Sequence, residues 1–148
     1  MINFNWYEFS KLNAKQLYDV LALRADVFIL EQNCAYLDPD GNDIHARHLL
    51  GMEEDSLVAY VRLFPPVANE IYIIFGRVVT ARSARNKGYG KKLIQELLTY
   101  CEIHFPSINI KCSAQLYLQK FYEEFGFKVV GNTYEEDGIP HIAMLRSY

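Results

Sequence analysis

The chain has 148 residues, a formal net charge of -3, 51% apolar and 22% charged residues. That size and balance predict one globular domain, 1–148, with room for a full core. No run of ~18 apolar residues suggests a membrane span, the opening Met1-Ile2-Asn3-Phe4-Asn5-Trp6 lacks the basic and apolar regions of a secretory signal, and the acidic balance argues against nucleic acid as the main partner. Cys34, Cys101 and Cys112 lack metal spacing and fit reduced thiols, so a cytoplasmic protein is expected.

Asn3 to Phe9 alternates and predicts a first strand. Asn13 is placed to cap a helix from Ala14 to about Gln32, with Leu17, Val20, Leu21, Val27 and Phe28 on one face. Arg24 falls on that face, seven residues before Glu31, where a charge must snorkel or pair. The polar loop from Asn33 to Ala46 contains Asp38-Pro39-Asp40-Gly41-Asn42-Asp43, which imitates a calcium loop. It has Asp43 where an EF-hand needs glycine and Leu49 where it needs Glu. His45 and His48 lack zinc-ligand spacing, so no metal is expected. Arg47 to Glu53 and Leu57 to Leu63 predict a hairpin turning at Glu54-Asp55-Ser56.

Ile71 to Thr80 is apolar and rich in β-branched residues, a further strand. Lys91 to His104 has Leu93, Ile94, Leu97, Leu98 and Cys101 at helical spacing, and Pro106 ends it. Ile108 to Ser113 predicts a short strand. Leu116 to Phe125 predicts a helix with Leu118, Phe121, Tyr122 and Phe125 on one face and Gly126 as its stop. Phe127 to Tyr134 and Pro140 to Leu145 predict strands around the turn Glu136-Asp137-Gly138. This order is an α/β layer arrangement with a mixed sheet.

Between the strand at Ile71 to Thr80 and the following helix lies Arg85-Asn86-Lys87-Gly88-Tyr89-Gly90. Two glycines let a backbone turn tightly and approach a ligand closely. The unpaired N–H groups and positive dipole end of a helix start suit a phosphate or pyrophosphate. From Ile71 to Gln95 there is no Asp or Glu, yet Arg77, Arg82, Arg85, Lys87, Lys91 and Lys92 fall there. The pattern is neither G-x-x-x-x-G-K-[ST] nor G-x-G-x-x-G, because Leu93 stands where the second needs its last glycine.

What remains, R-x-x-G-x-G with basic flanks, resembles the pyrophosphate loop of the GNAT acyltransferases. Phe121-Tyr122-Glu123-Glu124-Phe125-Gly126-Phe127 is similar to the L-Y-x-x-x-G-F stretch of that family. Leu23-Arg24, Val27-Phe28, Glu31-Gln32, Gly76-Arg77-Val78 and Tyr134 to Ile142 resemble its ElaA-like branch. The resemblance runs from about residue 5 to the C-terminus. It implies a mixed, mostly antiparallel twisted sheet with helices on both faces and a V-shaped splay between central strands. It also implies an acetyl-CoA-dependent N-acetyltransferase acting on a primary amine of a small molecule or peptide, and leaves a homodimer open. A non-catalytic acyl-CoA sensor and an acyl-homoserine-lactone-synthase-like enzyme, the latter suggested by Arg24-x-x-Val27-Phe28, are the alternatives.

The resemblance assigns acetyl-CoA to two stretches: Val78, Val79 and Thr80 for the pantetheine arm, and Arg85, Asn86, Lys87, Gly88, Tyr89, Gly90 and Lys91 for the pyrophosphate. Tyr122 occupies the family's general-acid position. The position of the strand Glu that many relatives use as base is Ile74 here. Deprotonation must therefore use a water chain, an amine that arrives neutral, or another residue, the candidates being Glu31, His48 and His141, with His48 also a candidate for contact with the acceptor. Arg62 and Arg77 sit inside apolar strand runs and need partners. Either one faces the acceptor and holds a carboxylate, or each pairs with Glu31, Asp38 or Asp43.

Overall fold

The structure of the protein, a computed structural model, describes residues 1–69 and 71–148. Its frame is an eight-stranded sheet. β1 (Ile2–Glu8), β2 (Arg47–Glu53), β3 (Ser56–Phe64) and β4 (Tyr72–Thr80) pair antiparallel in chain order. β4 then pairs in parallel with β5 (Asn109–Gln115). β5 pairs antiparallel with β8 (Ile139–Arg146), which also pairs with β6 (Lys128–Val129) and β7 (Tyr134–Glu136). The mixed, mostly antiparallel sheet is as expected.

Side chains alternate across a strand, and this alternation decides the layers. Ala59, Val61 and Leu63 of β3 face a core filled by Leu93, Ile94, Leu97 and Cys101 of α2 (Tyr89–His104). Tyr60 faces the other way, into a core with Val20 and Leu23 of α1 (Ala14–Arg24). Helices therefore cover both faces. Burying each such Leu or Ile contributes about 1.5–3 kcal/mol. α3 (Gln119–Glu123) lies on the α2 side, where Tyr122 meets Phe75 and Phe127.

Two irregularities in β4 shape the cleft. Tyr60 pairs with Val79 but Arg62 pairs with Gly76, so Val61 alone opposes Arg77 and Val78. This is a β-bulge, and Arg77 adopts φ 55 within it. The extra residue reverses the alternation. Phe75 joins the α2-side core and Val79 the α1-side core. At the same point β4 leaves β5, because their pairing runs from Tyr72↔Asn109 only to Phe75↔Cys112. Beyond it the strands diverge, giving the expected V.

Several predicted boundaries change. Asn13 caps α1 as expected, in a reciprocal box with Gln16 (2.8 and 2.9 Å). The α-helix ends at Arg24, however, and Ala25–Glu31 continues as a π-helix, with Gln32 N–H bonded to Val27 O and Cys34 N–H to Ile29 O. Apolar periodicity persists through Val27 and Phe28, so it cannot reveal the change of winding. The predicted helix at Leu116 opens as a 3-10 turn, Leu116–Leu118, before α3. The predicted strand Phe127 to Tyr134 is two short pieces, β6 and β7, separated at Gly131, which needs φ 84.

Candidate active site

A cavity of about 930 Å³ fills the V. Val78, Val79 and Thr80 border it on the β4 side, and Ser113, Ala114 and Gln115 on the β5 side. Past Phe75 the β4 backbone has β3 on one edge and no strand on the other. Its open N–H and C=O groups demand partners, which an extended ligand lying in the cleft would supply.

The glycine loop adjoins this cavity. A smaller hollow of about 210 Å³ touches Asn86, Gly88, Tyr89 and Lys91 and shares Thr80, Arg85, Gly90 and Phe121 with the main cavity. Gly88 precedes α2 with φ 77, and no side chain caps the helix. The first-turn N–H groups of a 16-residue helix therefore open onto the hollow. The cationic side chains are less free than the sequence suggests. Arg85 is held bidentately by Glu31 (2.5 and 2.5 Å) and Arg82 by Asp26 (2.5 and 3.0 Å). Lys87 reaches Glu53 at 3.1 Å, and the buried Tyr89 donates its hydroxyl to the same carboxylate. Lys87 thus turns toward β2 instead of bordering the hollow. Lys91 lies 3.5 Å from Glu124.

Tyr122 is positioned by the end of α3. Gly126 (φ 90) lets its own N–H reach Glu123 O at 3.0 Å and lets Phe127 N–H reach Tyr122 O at 3.3 Å. That paired closure is a Schellman end, and Phe127 packs back onto Tyr122 as such ends favour. Tyr122 is buried yet borders the cavity. Burial pushes its phenol well above the ordinary value.

The three candidates for the base separate. Glu31 borders the cavity, but its bond to Arg85 lowers its carboxyl below the usual range. His48 is fully buried with both ring nitrogens engaged, at Tyr60 Oη (2.6 Å) and Asp43 O (2.9 Å). It lies behind the cleft wall, so the expectation that it contacts an acceptor is corrected. His141 borders the cavity. Its Nδ1 lies 2.7 Å from Ile139 O. A carbonyl only accepts, so the neutral ring carries its proton on Nδ1. The lone pair on Nε2 then stands 3.4 Å from the exposed carboxylate of Glu136.

The loop that imitates a calcium site holds arginines instead. Asp38 accepts from Arg24 Nε and Arg77 Nε, both at 2.8 Å. Asp43 accepts from Arg24 (2.8 Å) and Arg62 (2.9 Å), and Asp40 accepts bidentately from Arg62 (2.9 and 2.6 Å). Three buried or half-buried arginines and three aspartates form one neutral network. Arg62 and Arg77 therefore pair with Asp38, Asp40 and Asp43 and not with Glu31, while both still border the cavity. Arg62 Nε is buried without a partner. Arg24 of α1 finds its partners 14 and 19 positions away, where no local sequence pattern points.

Cys112 also borders the cavity, and burial pushes its thiol up to about 12, so it stays protonated. Among the described residues no group of three His, Cys, Asp or Glu side chains is placed to hold a metal ion. Among them, too, no helix is long and apolar enough to cross a membrane.

A splayed parallel pair, a bulged strand and a glycine loop opening a helix define an acyltransferase fold. The acetyltransferase (GNAT) domain family matches residues 38–147. Protein ElaA of Escherichia coli (strain K12) is 42% identical over 148 residues, covering 99% of this chain and 97% of that protein. The Escherichia coli ElaA crystal structure superposes with a TM-score of 0.92 over 99% of this chain and 100% of that one, at 41% identity. An acyl-CoA N-acyltransferase from Pseudomonas aeruginosa does so with 0.94 over 99% and 100%, at 37% identity. Aminoglycoside 6'-N-acetyltransferase, solved in complex with coenzyme A, shares the fold at 17% identity (TM-score 0.72, covering 97% and 96%). The chain belongs to the GNAT-family N-acetyltransferases, in their ElaA-like branch.

Proposed function

We propose that the protein transfers an acetyl group from acetyl-CoA directly to a primary amine of a small-molecule or peptide acceptor, in the cytoplasm. The observation that carries this reading is the continuity of the β4–β5 cleft with the hollow at Arg85, Gly88 and Gly90. The cleft suits the pantetheine arm against the open edge of β4. The hollow suits a pyrophosphate, which the N–H groups of Tyr89, Gly90 and Lys91 and the cations of the loop would hold.

The chain's own groups then divide the chemistry. A backbone N–H at the bulge, Val78 or Val79, holds the thioester oxygen as negative charge develops there. His141 Nε2 takes the proton of the amine, and Glu136 stabilises the resulting imidazolium. The amine forms its bond to the carbonyl carbon, and the carbon–sulfur bond breaks to release thiolate. Tyr122 protonates that sulfur. Burial raises the phenol above its ordinary value, which keeps it protonated until the thiolate forms. Arg62 and Arg77 border the acceptor side, where guanidinium donors left over by the aspartates would meet an oxygen of the acceptor.

Calorimetry with acetyl-CoA on the wild type and on Gly88→Glu tests the cofactor. Micromolar binding, lost when bulk and negative charge enter the loop, is expected; no binding to folded wild type overturns the assignment. Thiol release across an amine panel tests the transfer, and binding without release from any amine contradicts it.

A further inference from the structure

The π-helical segment crosses the cleft and is tied down on both sides of it. At the phosphate end, Asp26 and Glu31 hold Arg82 and Arg85. At the other end, Gln115 Nε2 donates to Gln32 Oε1 (3.3 Å) and Cys34 Sγ donates to Asp137 O (3.0 Å). Glu31, Gln32 and Cys34 all border the cavity. π-helical turns are rare and cluster at functional sites, and here Asn33 closes the segment at φ 50.

The ties at the phosphate end are weak. Arg85 is 38% and Glu31 31% exposed, and Arg82 and Asp26 are more so. Exposed ion pairs of this kind contribute about 0–1 kcal/mol. A pyrophosphate brings two charges and several acceptor oxygens to the same guanidinium, together with the helix N-terminus beside it. One carboxylate cannot compete with that.

Resting on the proposed use of acyl-CoA, we infer that Glu31, seconded by Asp26, is an internal stand-in for the donor's pyrophosphate: it occupies Arg85 while the cleft is empty and yields it when acyl-CoA arrives. The exchange frees the Ala25–Cys34 strap at its phosphate end. Glu31 is a regulating residue of the donor site in this scheme and takes no part in the chemistry.

The test is a cycle of CoA affinities measured by calorimetry on wild type, Glu31→Gln, Arg85→Gln and the double variant, with thermal melts to show that each is folded. Removing the competitor should tighten CoA about two- to fivefold. That gain should vanish when Arg85 is absent, which is the non-additivity expected of residues sharing one partner. Weaker or unchanged binding in Glu31→Gln overturns the inference, because it makes Glu31 a support for Arg85 or a bystander. A gain that survives in the Arg85→Gln background also overturns it. Wild type that fails to bind CoA would instead refute the donor assignment, so the two failures are distinct.

Discussion

The hydroxyl of Tyr122 is the only phenol that α3 places at the junction of core and cleft. Tyr122 borders the cavity, and its ring packs against Phe75, Phe121 and Phe127. Removing that one oxygen leaves the packing intact, since the ring contacts are unchanged. Positioned proton donors typically contribute 10²–10⁴-fold. Tyr122→Phe should therefore lower kcat by about 10²-fold or more while the Kd for acetyl-CoA and the melting temperature hold, measured by thiol release, calorimetry and a thermal melt. A kcat within threefold of wild type would make Tyr122 a plain core aromatic.

At the scale of elements, the aim of Tyr122 depends on the last turn of α3. Gly126 is at φ 90, and an added Cβ would stand 3.4 Å from Arg146 Nε, which itself donates to Phe125 O at 2.8 Å. A residue with a Cβ in that left-handed region costs about 1–2 kcal/mol. In a chain of 148 residues, each kcal/mol lowers Tm by about 2–4 °C. Gly126→Ala should thus melt about 2–8 °C lower, and it should lose kcat while acetyl-CoA binding is kept, because the loop at Gly88 is untouched. Equal kcat would show that the Schellman closure does not orient the phenol. This turn was legible in the sequence, as were the loop at Arg85 to Gly90, the cap at Asn13 and the periodic face of α2. Each is written in contiguous residues whose type answers a local backbone need. The π-winding after Arg24 was not legible, because Val27 and Phe28 keep the same face apolar under either winding. The bulge at Arg77 was not legible either, since nothing in Gly76-Arg77-Val78 says that Val61 will face two residues.

Across the whole molecule, the acceptor side is held together by charges that no periodicity encodes. Arg24 of α1, Arg62 of β3 and Arg77 of β4 meet Asp38, Asp40 and Asp43 of one loop, across 14 to 39 residues of sequence. The sequence showed arginines in apolar runs, hence a need for partners, but the partners are set by the fold. The network makes stability depend on pH with a definite sign. Burial pushes the Asp43 carboxyl up, but Arg24 and Arg62 overcome this and hold it below its ordinary value; Arg62 does the same for Asp40. Their unfolded values lie near 3.9. The unfolded chain therefore binds more protons as the pH falls, and stability present above about pH 4 is lost below it. Arg24→Met removes the partner and leaves Asp38 and Asp43 buried beside an apolar group. Breaking a buried pair in this way costs about 3–5 kcal/mol. It also releases Asp43 from its strongest favourable contact while the burial that raises its pKa persists. The variant should be less stable in denaturant melts at pH 7 and should lose less further stability than wild type between pH 5 and pH 3. Parallel acid limbs in the two proteins would mean that Arg24 does not control the titration of Asp43, and that the network resists acid through Arg62 alone.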